Sequence, residues 1–580
     1  METKALTIID YIVMANSLVI VLIVALICSR WIKDAGQIFA AGGRLPWWLS
    51  GTSQIMTAVS AGTWTIWGSI AFCYGWVGIS LNWLAAIGTA AAALFFVARW
   101  KRSLIKTVPE WFALRFNNTT RTILMSIWII FMYLAVAMQL YSVCLFISHV
   151  TPFSLNQVIL FTGLLITFAT TIGGLWAVTI TNFIQAVILN LACFLLIPLA
   201  VNLAGGWSAV IDKTPDRFFN LAAPEATGYG FALLIPFMLV RVVTHSTQWS
   251  LVQHYISVPD EGTAKKSAWL CSALFFICPI IWLLPALIFR AIEPDFAMID
   301  GHLSLQHAER AYAQMCIIVL PPGFMGLMLA AMYAATVSTL NSEFVVMASA
   351  LTNELYIKYI HPHASDNRIL KVGRMAIVMV GLAITILAIL VQLMGGAVQV
   401  ALGLFGVMTG PLGIPLLWGL FSRRCSRWSA LYAAVIGIGA SLFVRFGLPA
   451  MGITTTTGQL MTVNVAVPTM IMALFEFIRP VTGQTYEQIN ALFTRFAHPV
   501  RSPVTLVESG SVDLRIFGVI GLALVLMSTS MLIVLIVQTH QRFWVMMAFL
   551  ILIVPGLLLI SAGYYKTFFR KWQKTESDPD

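Results

Sequence analysis

The residues best suited to chemistry are concentrated in one apolar stretch, residues 329–342, which reads LAAMYAATVSTLNS. Hydroxyl groups in hydrocarbon are costly unless they are hydrogen-bonded or bind a ligand. The stretch therefore predicts either a binding site inside a membrane or a surface where two membrane helices pack closely. Its polar members are Thr336, Ser338, Thr339, Asn341 and Ser342.

One face of this stretch carries several oxygen ligands. Ala335, Ser338 and Thr339 are three and four residues apart, so they are neighbours on a helix. A backbone carbonyl and two hydroxyls form a neutral, hard oxygen set, of the kind that binds hard cations such as calcium and magnesium. We extend this preference to sodium, which makes the face a candidate sodium site, with helix packing as the alternative.

The composition of the 580-residue chain is that of a polytopic, all-α membrane protein. Hydrophobic residues make up 59% and charged residues 10% of it, and the mean hydropathy is +0.89. Many apolar stretches of about 20 residues exclude a single anchor, and the alternation of a β-barrel is absent. The eight cysteines form no Cys-x-x-Cys motif and are predicted to be buried apolar residues.

Fifteen apolar stretches are predicted to cross the lipid bilayer. Most lysines and arginines fall in alternate loops, such as 99–120, 357–371 and 479–515. The positive-inside rule then places the N-terminus outside and the C-terminus in the cytoplasm, in a plasma (inner) membrane. The net charge of +11 is thus a topology signal, and nucleic-acid binding is not expected. The predicted spans are 9–29, 48–74, 78–98, 121–149, 155–176, 180–203, 229–253, 267–290, 316–350, 372–394, 397–421, 428–449, 461–478, 516–537 and 544–564.

Two spans, 48–74 and 229–253, are too polar to face lipid. Transporters use interrupted helices of this kind, whose freed carbonyls bind ions near mid-membrane. Each polar span is followed by four further spans, which predicts two five-span units of opposite orientation. The predicted organisation is an extra N-terminal helix and loop at 1–47, repeats at 48–203 and 229–421, and additional C-terminal helices with a tail at 428–580.

Six short motifs follow one another along residues 35–425. They are GGRLPWW at 42–48 with VSAGT at 59–63, TVPEW at 107–111, GGLWAV at 173–178, Gln253 with the basic pair 265–266, PGFMGL at 322–327 continuing into 338–342, and Gly410-Pro411 with GLF at 419–421. In order and spacing they resemble the sodium:solute symporter family, which includes transporters of sugars, proline, pantothenate and sialic acid.

The resemblance implies a leucine-transporter-type 5+5 inverted repeat with extra flanking helices, about 15 transmembrane helices in all. A bundle would rock against a scaffold to give alternating access. The resemblance also implies a sodium site between the second and ninth spans. Carried over by position, its ligands are the carbonyls of Met56, Val59 and Ala335 and the hydroxyls of Ser338 and Thr339.

Further residues are candidates for coupling. Some relatives have a second sodium site with an aspartate at the position of Asn182, and the neutral amide here predicts one coupled sodium. Asn341 and Ser342 leave polar atoms nearby. Glu343, one turn after Thr339, is either a coupling or proton-linked group or the partner of a basic residue.

The solute site is expected beside the two interrupted helices. Aromatic, amide and hydroxyl side chains there suit a small polar solute with an apolar face, with packing as the alternative for each. Sugar-transporting relatives use a lysine on the eighth span, which is apolar here, so a galactose-like solute is not expected. Arg241 is either a carboxylate partner or a side chain that snorkels outward. The candidates are Ser60, Thr63, Trp64, Asn82, Trp83, Gln139, Gln248 and Trp249.

The predicted function is sodium-coupled symport of a small organic solute, with sodium as its one ion. The alternative is a sensor of the transporter fold that binds solute without coupled transport. The chain ends soon after its last span, so we expect no fused signalling domain. An enzyme is not expected, because the chain has no His-Glu-x-x-His, no Gly-x-Ser-x-Gly and no Walker loop. The oligomeric state is left open.

Overall fold

The structure is a computed structural model of the chain. The residues it describes are 6–29, 45–105, 108–169, 175–361, 366–478, 481, 483–500, 506–537 and 542–576. In this part of the chain the fold is helical apart from one antiparallel pair of short strands, β1 (Met298–Ile299) and β2 (His302–Leu303).

Eleven of the described helices are long and apolar enough to cross a membrane, and a bent pair raises this number to twelve. The helices that begin at Ile8 and at Leu155, and a broken helix after residue 46, occupy the other predicted positions. The predicted class, an all-helical polytopic membrane protein, is therefore confirmed. The count of fifteen spans remains a prediction.

The described helices of the first half run from residue 8 to residue 213. In chain order they are α1 (Ile8–Ser29), α2 (Trp47–Thr57), α3 (Gly68–Tyr74), α4 (Val77–Ala91), α5 (Val97–Arg102), α6 (Val108–Arg115), α7 (Asn118–Val150), α8 (Leu155–Ala169), α9 (Leu175–Ala204) and α10 (Trp207–Lys213). Residues Thr63–Trp67 and Ala92–Phe96 are π-helical, and Glu225–Thr227 form a 3₁₀ turn.

The second half continues from the second break to the C-terminal pair of helices. In chain order its helices are α11 (Phe231–Thr247), α12 (Trp249–Ile256), α13 (Glu261–Ile292), α14 (Leu305–Ala308), α15 (Ala311–Val319), α16 (Phe324–Ala350), α17 (Asp366–Leu390), α18 (Gly396–Phe421), α19 (Ser429–Leu442), α20 (Leu448–Ala450), α21 (Thr457–Ile478), α22 (Gln484–Arg495), α23 (Leu506–Val537) and α24 (Arg542–Glu576). Residues Leu351–Ile360 and Phe443–Gly447 are π-helical, and Val391–Met394 form a 3₁₀ turn.

The predicted ninth span, 316–350, is wrong as a single helix. It is divided between α15 and α16, which are separated by residues 320–323. Pro321 and Pro322 have no N–H to donate to a helix, and Gly323 has φ +92°, which favours glycine. The Pro-Pro-Gly sequence therefore ends one helix and turns the chain before the next begins.

The helix that carries the hydroxyl-rich stretch, α16, lies in the centre of the molecule. In the most apolar part of α16, 76% of the residues are buried inside the protein. In the most apolar part of α24, 22% are buried. Helices α1, α7, α9 and α17 pack around it. Of the polar side chains of α16 that the structure describes, Thr336 and Glu343 are buried and Thr339 and Asn341 are half-buried, whereas α24 lies at the periphery.

Candidate functional site

The first polar span is interrupted where the sequence predicts. Helix α2 ends at Thr57, and helical bonding resumes in the π-helical segment that begins at Thr63. In an unbroken helix the amide of Thr63 would donate to the carbonyl of Val59, but it donates to Ser60 at 2.8 Å. The break therefore releases the Val59 carbonyl from its helical partner.

The second polar span is also interrupted. Helices α11 and α12 meet at an angle of 48°. Gln248, between them, has φ −58° and ψ 125°, outside the helical region. Both predicted interruptions are therefore present, each at a cluster of polar residues.

The Thr336 side chain joins α16 to the first break. The Thr336 hydroxyl accepts a hydrogen bond from the amide of Ala61 at 3.0 Å and donates to the carbonyl of Met332 at 2.8 Å. Thr336 is fully buried. The hydroxyl-rich stretch thus contacts the unwound backbone directly. Thr336 is one of the polar residues of 329–342, but it was not among the predicted ligands.

Four of the five predicted sodium ligands are described by the structure, and they precede or follow the two residues of this contact along the chain. Met56, Val59 and Ala335 are buried. The Thr339 hydroxyl donates to the carbonyl of Ala335 at 3.1 Å, and the hydroxyl oxygen retains lone pairs for a cation. Because Thr339 follows Thr336 by three residues, the two share the face of α16 that meets the break.

Two predicted residues, Ser338 and Ser342, belong to α16, but their side chains lie outside the described residues. The other predicted ligands, three backbone carbonyls and the Thr339 hydroxyl, are neutral hard oxygens, and their chemistry fits sodium. The ligand set as a whole stays a prediction.

The coupling candidates have different surroundings. Asn182 is buried and donates from Nδ2 to the Ser53 hydroxyl at 3.2 Å, which links α9 to α2. Asn341 is half-buried on α16. Glu343 is buried, and among the described residues the ion pair within 4 Å joins Arg102 to Glu261 instead. The alternative in which a basic residue pairs with Glu343 therefore has no support in this part of the chain.

Three solute candidates lie together near the first break. Ser60 and Thr63 are buried in it. A Cβ added to Gly62 would lie 3.5 Å from the Ser142 hydroxyl, so the break faces α7. Gln139 precedes Ser142 by one turn of α7, and its Oε1 is buried without a hydrogen-bond partner among the described residues. Ser142 was not predicted, because its one local signal is a hydroxyl in an apolar span.

Three other candidates are engaged in contacts within the protein. Trp64 is fully buried against Trp282 and Tyr312, with ring centroids 5.8 and 6.2 Å away. Asn82 donates to the carbonyl of its own helix at Gly78, at 2.9 Å. Trp83 donates to the carbonyl of Phe276 at 2.8 Å and stacks on its ring. These contacts agree with the alternative in which the three side chains pack helices together and do not bind solute.

The last two candidates lie at the second break. Gln248 is half-buried between α11 and α12. Trp249 stacks on Trp128 with centroids 3.8 Å apart and planes 12° apart. This stack joins α12 to α7. Sequence reasoning missed Trp128, because nothing local distinguishes it from other tryptophans in apolar spans.

Comparison with known proteins adds independent findings. The model of the sodium:solute symporter family matches residues 38–437. A sodium/glucose cotransporter of Vibrio parahaemolyticus is 28% identical and covers 76% of this chain and 86% of its own. A sodium/sialic acid symporter of Aliivibrio fischeri is 25% identical, covering 77% and 89%. The mouse sodium-coupled monocarboxylate transporter 2 is 26% identical, covering 72% and 68%.

A solved structure shares the fold. A substrate-bound, outward-open sodium-coupled sialic acid symporter superposes with a TM-score of 0.69 at 21% identity, covering 82% of this chain and 99% of the other. Its likeness, together with the two interrupted helices, supports the predicted leucine-transporter-type architecture.

Proposed function

The chain belongs to the sodium:solute symporter family, and from this premise we propose where it couples sodium to its solute. It is a multi-pass membrane protein that carries a small organic solute by sodium-coupled symport. Its family and relatives are transporters rather than enzymes.

We place one sodium ion between the first break and α16. Its ligands are the carbonyls of Met56, Val59 and Ala335 and the hydroxyls of Ser338 and Thr339. The observation that carries this proposal is the hydrogen bond between Thr336 and Ala61, which holds α16 against the unwound backbone at the residue after Ala335. Because Asn182 is neutral, the proposal includes no second sodium site.

The solute lies between the two breaks, in contact with Ser60, Thr63, Gln139 and Gln248. The unpartnered oxygen of Gln139 supports this location. The relatives carry glucose, sialic acid and monocarboxylates by their names, which agrees with a small polar solute. Trp249 is a further candidate at the second break, where it stacks on Trp128.

Alternating access follows from the arrangement of repeats. The two interrupted helices begin the proposed repeats 48–203 and 229–421, so each repeat contributes one broken helix to the site. Sodium bound between α2 and α16 would hold the two elements together. Asn341, Ser342 and Glu343 follow the ligands on α16. We propose that these three residues couple sodium binding to the movement that carries the solute.

The sodium site is tested by removing one ligand. In proteoliposomes that contain the Thr339→Ala variant, we expect half-maximal uptake to require about tenfold more sodium, since a hydrogen bond or contact to a charged group contributes roughly 1.5–3 kcal/mol. Thr339→Ser keeps the hydroxyl and is the matched control. Unchanged sodium dependence in Thr339→Ala, or equal uptake in choline and sodium buffers, would refute the site.

A further inference from the structure

Arg241 is a buried cation inside the helix bundle. It lies on α11, one of the two interrupted helices, and 7% of it is exposed. Its guanidinium carbon lies 5.0 Å from the ring centre of Trp67, 4.8 Å from that of Phe237 and 4.7 Å from that of Phe405. These rings belong to the π-helical segment after the first break, to α11 and to α18. Arg241 therefore points into the bundle, and the expectation that it snorkels outward is wrong.

No acidic side chain neutralises this charge within the part of the chain that the structure describes. The ion pair found there joins Arg102 to Glu261, and Nε of Arg241 is buried without a hydrogen-bond partner. Aromatic faces attract the cation, but they do not replace the oxygen acceptors that its N–H groups require. An ionisable residue held inside a membrane in this way marks a functional site.

We propose that Arg241 binds a carboxylate group of the transported solute; this assignment rests on the proposed function and narrows its substrate class. A planar guanidinium pairs with two carboxylate oxygens at once. Arg241 precedes Gln248 by seven residues, which is about 10 Å along a helix. A solute with one polar end at the breaks therefore reaches Arg241 with its carboxylate if it has the length of a small organic acid.

The experiment compares acids with their neutral analogues on the purified full-length chain in sodium buffer. The probe pairs are lactate and lactamide, nicotinate and nicotinamide, and N-acetylneuraminate and its methyl ester. We expect at least one acid to raise the melting temperature while its neutral analogue at the same concentration does not. In Arg241→Gln the affinity for that acid should fall about tenfold or more, because contacts to a charged group are lost. Arg241→Lys should bind the acid more weakly than the unmodified chain. Lysine keeps the positive charge but lacks the planar pair of N–H donors that contacts both carboxylate oxygens.

A second arginine provides the control. Arg445 is half-buried with its guanidinium 5.6 Å from the Phe446 ring centre, and Arg445→Gln should bind the acid as the unmodified chain does. The assignment is overturned if no acid raises the melting temperature, if the neutral analogues act equally, or if Arg241→Gln retains full affinity. If Arg241→Gln does not fold, the role of Arg241 is tested by the affinity of Arg241→Lys for the acid. The comparison of each acid with its neutral analogue on the unmodified chain then tests whether a carboxylate is needed.

Failure of this inference is distinguishable from failure of the sodium site. If neutral solutes stabilise the chain or enter vesicles in a sodium-dependent way and acids do not, the role of Arg241 is wrong and the sodium site stands. If acids bind through Arg241 with equal affinity in sodium and choline, the carboxylate site stands and the sodium site is wrong.

Discussion

The Thr336 hydroxyl shows how one residue can align two halves of a site. It accepts a hydrogen bond from Ala61 in the unwound segment and donates to its own helix at Met332. The bond fixes the position of α16 against the break without using the oxygens of Ala335 or Thr339. The proposed ion ligands of α16 and the residue that joins α16 to the break are therefore different residues, although they are neighbours on one helix.

Glu309 is a second residue that joins distant elements, outside the membrane-spanning segments. It is 3% exposed, and it accepts hydrogen bonds from the Val398 amide at 2.9 Å and from the Tyr141 hydroxyl at 3.2 Å. It thus ties the segment between α14 and α15 to the start of α18 and to α7. Burial raises the pKa of Glu309 to about 8, although both hydrogen bonds favour the ionised form.

We expect Glu309→Gln to remove a pH-dependent loss of stability. The folded chain keeps the proton on Glu309 up to about pH 8, whereas the unfolded chain loses it near the ordinary value of 4.5. Between these values the folded state binds more protons, so the free energy of unfolding falls as the pH rises. The slope reaches at most about 1.4 kcal/mol per pH unit for one proton. Thermal unfolding across this window measures it.

The control for this prediction is Asp295→Asn, which changes an exposed acid of the same loop and should keep the original slope. If the melting temperatures of Glu309→Gln and the unmodified chain change in parallel with pH, the carboxyl of Glu309 does not keep its proton in the folded chain.

At the scale of elements, the first helix supports the helix that carries the proposed sodium ligands. Asp10 on α1 is buried, and its Oδ1 accepts hydrogen bonds from the amides of Gly323 and Gly326 at 2.7 and 2.9 Å. These amides lie at the start of α16, where a helix has unsatisfied N–H groups. A Cβ on Gly326 would lie 2.1 Å from the Asp10 carbonyl, so α1 and α16 are in close contact. The extra N-terminal helix, outside the family match, therefore caps a central helix.

Removing this cap should destabilise the whole molecule. We expect Asp10→Ala to lower the free energy of unfolding by about 1–2 kcal/mol, since an N-cap is lost and buried amides are left without an acceptor. Asp10→Asn retains one acceptor oxygen and is the matched variant, with a smaller expected loss. Chemical denaturation in detergent measures both. An Asp10→Ala chain as stable as the original would show that the cap contributes nothing.

At the scale of the whole molecule, the orientation in the membrane is a prediction of charge distribution. Lysine and arginine are concentrated in alternate loops, which places residues 357–371 in the cytoplasm and 204–228 outside. The seven described cysteines are buried, so an introduced thiol at an exposed position can be labelled against a low background. Asn220 and His361 are exposed, one in each of these loops.

A membrane-impermeant maleimide tests this orientation in intact cells. We expect Asn220→Cys to be labelled directly and His361→Cys to be labelled after permeabilisation, because the charge bias sets which side each loop occupies. The unmodified chain reports the background of native thiols. Labelling in the opposite order would invert the predicted topology.

Much of the architecture follows from the sequence by itself. The apolar stretches predict the all-helical membrane class because about 20 apolar residues are needed to cross a bilayer. The density of polar residues in 48–74 and 229–253 predicts two interrupted helices, since polar groups cannot face lipid. These inferences succeed because each depends on residues close together in the chain. The division at Pro321-Pro322-Gly323 also has a local signal, since these residue types end helices. The prediction of one span missed it because apolar residues continue on both sides.

Only the tertiary structure decided which residues meet at the site. Thr336 and Ala61 are 275 residues apart in the sequence, and Asp10 and Gly323, which are also hydrogen-bonded, are 313 residues apart. The three rings around Arg241 belong to separate elements, and Trp128 meets Trp249 only because α7 and α12 are neighbours. A side chain's partners depend on how helices pack around one another, and a single sequence does not contain that arrangement in any local pattern.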